Sequence, residues 1–314
     1  MFVSQLECSL VSWNVRNVTS MVAMFFEAPS FNKPLDMWDV SSVTNMNDMF
    51  SRATSFNQPL NSWDVRNVTN MLGMFHEARS FNQPLDMWDV SSVTDMAAMF
   101  TRATSFNQPL NTWDVSSVTD MYDMFHATSF NQPLDFWNVS SVTNMDVMFA
   151  DATSFNQPLN KWDVSSVIDV SLMFYLASSF NQPLDMWVVS SVTDMYAMFG
   201  DATSFNQPLN SWDVRNVTNM ESMFDGASSF NQPLDNWDVS KVLIMANMFK
   251  DAESFSQRLC KWFNMSYKSI PDVKDMFLRS SCGNTSDPNF DAMISFCGTN
   301  NYPTCNFIVS SNSR

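Results

Sequence analysis

Every tryptophan in this 314-residue chain falls in one column of a repeat. Trp13, Trp38, Trp63, Trp88, Trp113, Trp137, Trp162, Trp187, Trp212, Trp237 and Trp262 follow one another at steps of 25, with one step of 24 between Trp113 and Trp137. A period of this size marks a stacked-repeat architecture, in which each unit buries its apolar edge only against its neighbours. A single 25-residue turn cannot offset the entropy of ordering itself, so the copies must stack. Stacked strands lie about 4.8 Å apart, so ten turns would extend about 50 Å. The expected organisation is a partial repeat at 1–20, a regular stack at 21–259, and a degenerate last repeat with cap and tail at 260–314.

One turn, taken from Trp63, predicts its own parts. Leu60, Trp63 and Val65 form an L-x-x-W-x-V segment that alternates as a short strand does. Thr69 to Ala78 reads as a short helix, with Thr69 as its cap and Met71, Met74, Phe75 and Ala78 on one face. Ser80 to Leu85 then turns the chain back, with Pro84 fixing the backbone. The fold class expected is an α/β repeat solenoid with one strand, one short helix and one return loop per turn.

Composition removes several functions. Asp and Glu outnumber Lys and Arg by 32 to 16, giving a net charge of -16 that repels phosphate backbones and argues against nucleic acid as a partner. No apolar run approaches the roughly 20 residues that span a bilayer, and Met1 to Asn14 lacks the pattern of a signal peptide. No cofactor motif is present, and the chain reads as a non-enzyme, because a uniform ladder of carboxylates lacks the two unlike environments that acid and base catalysis needs.

The polar columns carry what remains. Asn32, Asn57, Asn82, Asn107, Asn131, Asn156, Asn181, Asn206 and Asn231 are expected to satisfy loop backbone groups through their amides. Asp39, Asp64, Asp89, Asp114, Asp163, Asp213 and Asp238 follow the tryptophans and point outward, with Asn138 and Val188 interrupting. They read either as solvated caps of the following turn or as a face for calcium or a basic ligand. Thr44, Thr69, Thr94, Thr119, Thr143, Thr193 and Thr218 form a further ladder, which suits helix capping or, alternatively, ice binding. His76 and His126 share a column two repeats apart; they make a poor zinc site and are expected to be solvated.

Two residues before Trp the chain alternates: Asp36, Asn61, Asp86, Asn111, Asp135, Asn160, Asp185, Asn210, Asp235. The next position follows, with Met37, Met87, Phe136 and Met186 in Asp turns and Ser62, Thr112, Lys161 and Ser211 in Asn turns. The copied unit is therefore about 50 residues. Arg16, Arg66 and Arg215 join the same face, and exposed Met, aromatic and Arg residues are the usual anchors of an interface. The alternative is that they cover neighbouring turns.

The L-x-x-W-x-V frame, the M-x-x-M-F-x-x-A segment and the S-F-N-Q-P-L loop, with W-D-V-S-S-V-T-N-M as the most regular stretch, resemble the bacterial BspA-like leucine-rich-repeat surface proteins over residues 6–259. The resemblance implies a leucine-rich-repeat solenoid, a cell-surface or extracellular setting, and adhesion or binding of a protein or glycan, with no catalytic residues to carry over. The chain departs from that pattern by starting part-way through a turn, with Leu6 in the Phe column, as an incomplete N-terminus would.

Cysteine occurs only at Cys8, Cys260, Cys282, Cys297 and Cys305. The last four lack zinc-site spacing and suit disulfides that staple a C-terminal cap, with three pairings open. Such a cap implies an oxidising compartment, where the sequons at Asn17, Asn67, Asn138, Asn216, Asn264 and Asn284 are usable.

Overall fold

The computed structural model describes Leu10, residues 13–263, 265–267, 269–282 and 287–288, and Cys297. Successive turns lie on one another in register. Single parallel bridges join Ser20, Asn45, Asn70, Asp95, Asp120, Asn144, Asp169, Asp194, Asn219, Ile244 and Asp272 in one line down the stack.

The expected helix does not form. Among the described residues the one α-helix is Cys260–Phe263, and neither Thr69 to Ala78 nor its equivalents are helical. Met71 to Ala78 is instead a chain of tight turns. Met74 N–H donates to Met71 C=O at 3.1 Å, His76 to Gly73 at 2.9 Å and Ala78 to Phe75 at 3.0 Å. The intervening donors cross to the next turn: Met71 to Asp95 at 3.0 Å, Gly73 to Ala97 at 2.9 Å, Phe75 to Met99 at 2.9 Å and Glu77 to Thr101 at 2.7 Å. Leu72 N–H goes to Asn70 Oδ1 at 3.0 Å. Each N–H of the segment is thus satisfied, alternately along the chain and across the stack.

This geometry requires positive φ at two places per turn, +59° at Gly73 and +53° at Glu77, and most such positions carry a side chain, as at Asp48, Arg52, Ala98 and Arg102. A left-handed non-glycine residue costs about 1–2 kcal/mol; the cross-turn hydrogen bonds that a helix would forgo offset it. The apolar spacing misleads because Met71, Met74, Phe75 and Ala78 are all buried here too. Thr69 does not cap a helix. Its N–H and Oγ1 both donate to Thr44 C=O, at 2.9 and 3.2 Å. The strand expected at Leu60 to Val65 is likewise replaced by a turn, closed by Trp63 N–H on Leu60 C=O at 3.0 Å.

Three aromatic ladders fill the core. Trp88 and Trp113 stack at 6.4 Å between centroids and 3° between planes, Phe75 and Phe100 at 5.6 Å, and Phe81 and Phe106 at 6.0 Å. Phe75 and Phe81 meet within a turn at 4.0 Å. Each buried indole needs an acceptor, and finds it one turn back: Trp63 Nε1–H donates to Leu35 C=O at 3.0 Å and Trp88 Nε1–H to Leu60 C=O at 2.9 Å. In the return loop Asn82 Oδ1 accepts both Asn107 N–H and Gln108 Nε2–H at 3.0 Å, the backbone-satisfying role expected of the Asn column. The shortened turn keeps this loop whole and loses its residue just before it, between His126 and Phe130. There Thr128 Oγ1 donates to Phe125 C=O at 2.8 Å, the bond that Ala78 N–H makes to Phe75.

At the C-terminal side, Phe277 stacks on Phe249 at 5.6 Å, and Tyr267 Oη–H donates to Trp262 C=O at 2.7 Å. Cys282 and Cys297 form a disulfide with Cα atoms 5.0 Å apart, and Cys260 is also disulfide-bonded. Cys8 and Cys305 lie outside the described residues, as do sequon residues Asn264 and Asn284.

Trp88→Ala is expected to cost about 3–5 kcal/mol by opening a void. Trp88→Phe, which removes the indole donor while the Leu60 carbonyl keeps the N–H of Trp63, should cost less, about 0.5–1.5 kcal/mol for the lost hydrogen bond. Urea denaturation checks both, and an alanine variant with the parental midpoint would contradict the ladder.

Candidate functional site

Around each tryptophan two turns present their tips to solvent. Leu60 to Trp63 places Asn61 and Ser62 at one tip, and Val65 to Val68, closed at 2.9 Å, places Arg66 and Asn67 at the other. The column just before the tryptophan therefore projects into solvent. Met37, Met87, Phe136 and Met186 are 74, 76, 76 and 69% exposed, so they do not cover neighbouring turns. Two turns separate each from the next, about 10 Å at the usual strand spacing.

The backbone beneath these side chains is pinned. Met87, Phe136 and Met186 N–H donate to Oδ1 of Asn61, Asn111 and Asn160, at 3.0, 3.1 and 3.0 Å. The same amides donate through Nδ2 to Oδ1 of Asp86, Asp135 and Asp185, at 3.0, 3.2 and 3.1 Å. Ser62, Thr112 and Ser211 hydroxyls donate back to the carbonyls of Asp36, Asp86 and Asp185, at 3.2, 2.9 and 2.9 Å. The Asn/Asp alternation, legible in the sequence only as a trace of duplication, is thus a physical pairing in these turns, an amide donor facing the carboxylate of the turn that follows.

The Asp column has the capping role. Asp39 and Asp89 Oδ1 accept the N–H and hydroxyl of Ser41 and Ser91, at 3.2 and 2.6 Å in each case. Asp114, Asp163 and Asp238 accept the N–H of Ser116, Ser165 and Ser240, at 3.0, 3.1 and 3.1 Å. Serine hydrogen bonding holds Asp39, Asp89, Asp114 and Asp163 below the usual carboxylate range. Asp64 and Asp213 instead hold Arg66 and Arg215, each through Nε at 2.8 Å, and Arg16 lies 3.7 Å from Asp39. Arg66 also feels Asp89 of the next turn, and Arg215 feels Asp238.

The three columns converge in a groove of about 460 Å³ bounded by Asn61, Asp64, Arg66, Met87 and Asp89. Such a surface offers apolar knobs beside fixed charges. Among the described residues no three His, Cys, Asp or Glu side chains gather to hold a metal ion. Among the described threonines of the ladder, Thr44, Thr94 and Thr119 donate Oγ1–H to the carbonyl of the previous turn, at 3.1, 3.2 and 3.2 Å, as Thr69 does.

The face of chained turns holds residues that sequence reading missed or misplaced. His76 and His126 are half-buried rather than solvated: His126 Nδ1 lies 2.7 Å from Asp123 Oδ1, and burial pushes the His76 pKa down. Asp146 sits with Oδ1 buried and lacking a hydrogen-bond partner. Burial, then Asp169, Asp123 and Asp194, pushes its carboxyl up to about 6.

A sequence-family model described as "Mycoplasma protein of unknown function, DUF285" matches the chain three times in tandem, over residues 1–112, 102–212 and 181–290. Among curated proteins none matches. Among the described residues no helix is long and apolar enough to cross a membrane.

Asn111→Asp should set its carboxylate against Asp135, which now accepts from Asn111 Nδ2. The expected loss is about 1 kcal/mol, easing as salt is raised, read from melting temperatures at low and high ionic strength. For Asp146 the folded pKa of about 6 exceeds the ordinary 3.8, so the native state binds the proton more tightly and stability falls as pH rises through that window. Asp146→Asn is therefore expected to raise the melting temperature at pH 7 and to leave it unchanged at pH 4; equal effects at both would contradict the assignment.

Proposed function

We infer a function for a chain that belongs to the DUF285 family of Mycoplasma proteins of unknown function, and propose that it is a non-catalytic repeat protein that binds a macromolecule through the face beside its tryptophans. The observation that carries this reading is the row Met37, Met87, Phe136 and Met186, more than two-thirds exposed, the last three on backbone pinned by the Asn/Asp pairs. With the backbone beneath Met87, Phe136 and Met186 already fixed, binding has only their side chains to order, and Met87 shares its groove with Arg66, which Asp64 holds in place. The partner is a protein or glycan at the cell surface or outside the cell. The Cys282–Cys297 bridge supports an oxidising setting. The stacking of turns supports a solenoid related to the leucine-rich-repeat surface proteins of the BspA-like kind, in which chained turns take the place of the helix.

Ice binding has less support, because the threonine hydroxyl hydrogens named above are committed within the stack. The test is to probe protein and glycan arrays with the oxidised chain and with a Met87→Ser, Phe136→Ser double variant. We expect at least one class of ligand, with signal reduced about tenfold or more in the variant, as loss of interface anchors demands. Silence across both arrays would replace binding with a spacer or wall role.

A further inference from the structure

On the face of chained turns the columns vary, and one stretch departs from the rest. Where other turns carry Ser51, His76, Thr101 or His126, successive turns carry Tyr175, Gly200, Asp225 and Lys250. Beside that column run Leu172, Ala197 and Ser222. Two small residues, Ala197 and Gly200, thus lie between Tyr175 and Asp225. They leave a notch of about 330 Å³ walled by Tyr175, Tyr196, Asp201 and Asp225, with Leu172 at its edge.

The notch depends on its glycines. A Cβ on Gly200 would stand 2.9 Å from Tyr175 Cδ2, so any larger residue must displace that ring. Gly226, at φ +68°, gives the same room to the Asp201 carboxylate. Cross-turn hydrogen bonds fix the backbone of the walls: Leu172 N–H to Tyr196 C=O at 2.7 Å, Leu176 to Gly200 at 2.8 Å and Asp201 to Asp225 at 2.7 Å. The site is therefore built before any ligand arrives.

Its chemistry is that of a cation receptor. Asp225 is paired with Lys250 at 3.3 Å, whereas among the described residues Asp201 makes no ion pair. One carboxylate thus stands uncompensated beside two phenol rings and an apolar wall, in a chain of net charge -16. Aromatic faces attract a cation through the ring quadrupole, and a carboxylate adds a direct partner. An anion would meet two acids, and a bare metal ion would lack a third ligand group, since no three such side chains gather among the described residues. We propose that this notch binds an ammonium or guanidinium group on a short alkyl stem, carried by a free amine or by a Lys or Arg side chain.

The whole chain would be titrated with n-butylammonium, n-butylguanidinium, neutral n-butylurea and the peptide acetyl-Gly-Arg-Gly-amide, with ligand-detected NMR as readout. Saturable binding of the cations and not of butylurea is expected. Asp201→Asn and Tyr196→Ala should each weaken it about threefold to fivefold, the worth of an exposed cation–aromatic contact. Gly200→Ala should abolish it by moving the Tyr175 ring, and Met87→Ser, on the other face, should leave it unchanged. Melting curves of each variant confirm that the stack is intact. Binding of the peptide as tight as that of butylguanidinium assigns the site to protein side chains; binding of the small cations alone assigns it to free amines. Equal binding of butylurea, no loss in Asp201→Asn, or no saturable binding by any probe would overturn the proposal.

Discussion

In the turn that begins at Trp63, the N–H groups of Met71, Gly73, Phe75 and Glu77 point across the stack, and those of Met74, His76 and Ala78 point back along the chain. Everything else follows from this alternation. The cross-turn set fixes the rise between turns, so every side chain meets its equivalent in the next copy. Like residues must then tolerate one another as neighbours, which aromatic rings and amides do and bare carboxylates do not. Phe and Trp stack ring on ring, Asn passes a hydrogen bond to Asn, and the outward Asp residues quench themselves on their own turn or on an arginine.

Much of this was legible in the sequence. The tryptophan column gave the turn length, and the unbroken Asn column pointed to backbone satisfaction. The helix was misread because M-x-x-M-F-x-x-A has the apolar spacing of a helix and because alternating left-handed residues, nine in ten of them not glycine at these positions, leave no sequence mark. Glu77, Arg52 and Asp48 sit at positive φ without the residue type that would announce it. The reason for the Asn61 and Asp86 alternation was also hidden, since it lies in contacts between residues 25 apart.

The notch was invisible for a related reason. Tyr175, Gly200 and Asp225 occupy a column that looks unconstrained in one dimension, and only the stack shows that a small residue there is a gap between two large ones. In a repeat protein of this kind the strict columns maintain the body, and chemistry concentrates where a column departs from itself. The exposed Met and Phe row is a departure repeated every second turn; the notch is a departure made once.

The Asn/Asp pairing also sets a parity rule on how such a chain changes length. Asn61 gives its amide hydrogen to Asp86, and Asn111 to Asp135. Loss of two adjacent turns rejoins an Asn turn to an Asp turn and leaves the pairing whole. Loss of one joins like to like, carboxylate against carboxylate or amide against amide, at the seam. A change of length by two turns therefore keeps every amide opposite a carboxylate, whereas a change by one costs the pairing at its seam.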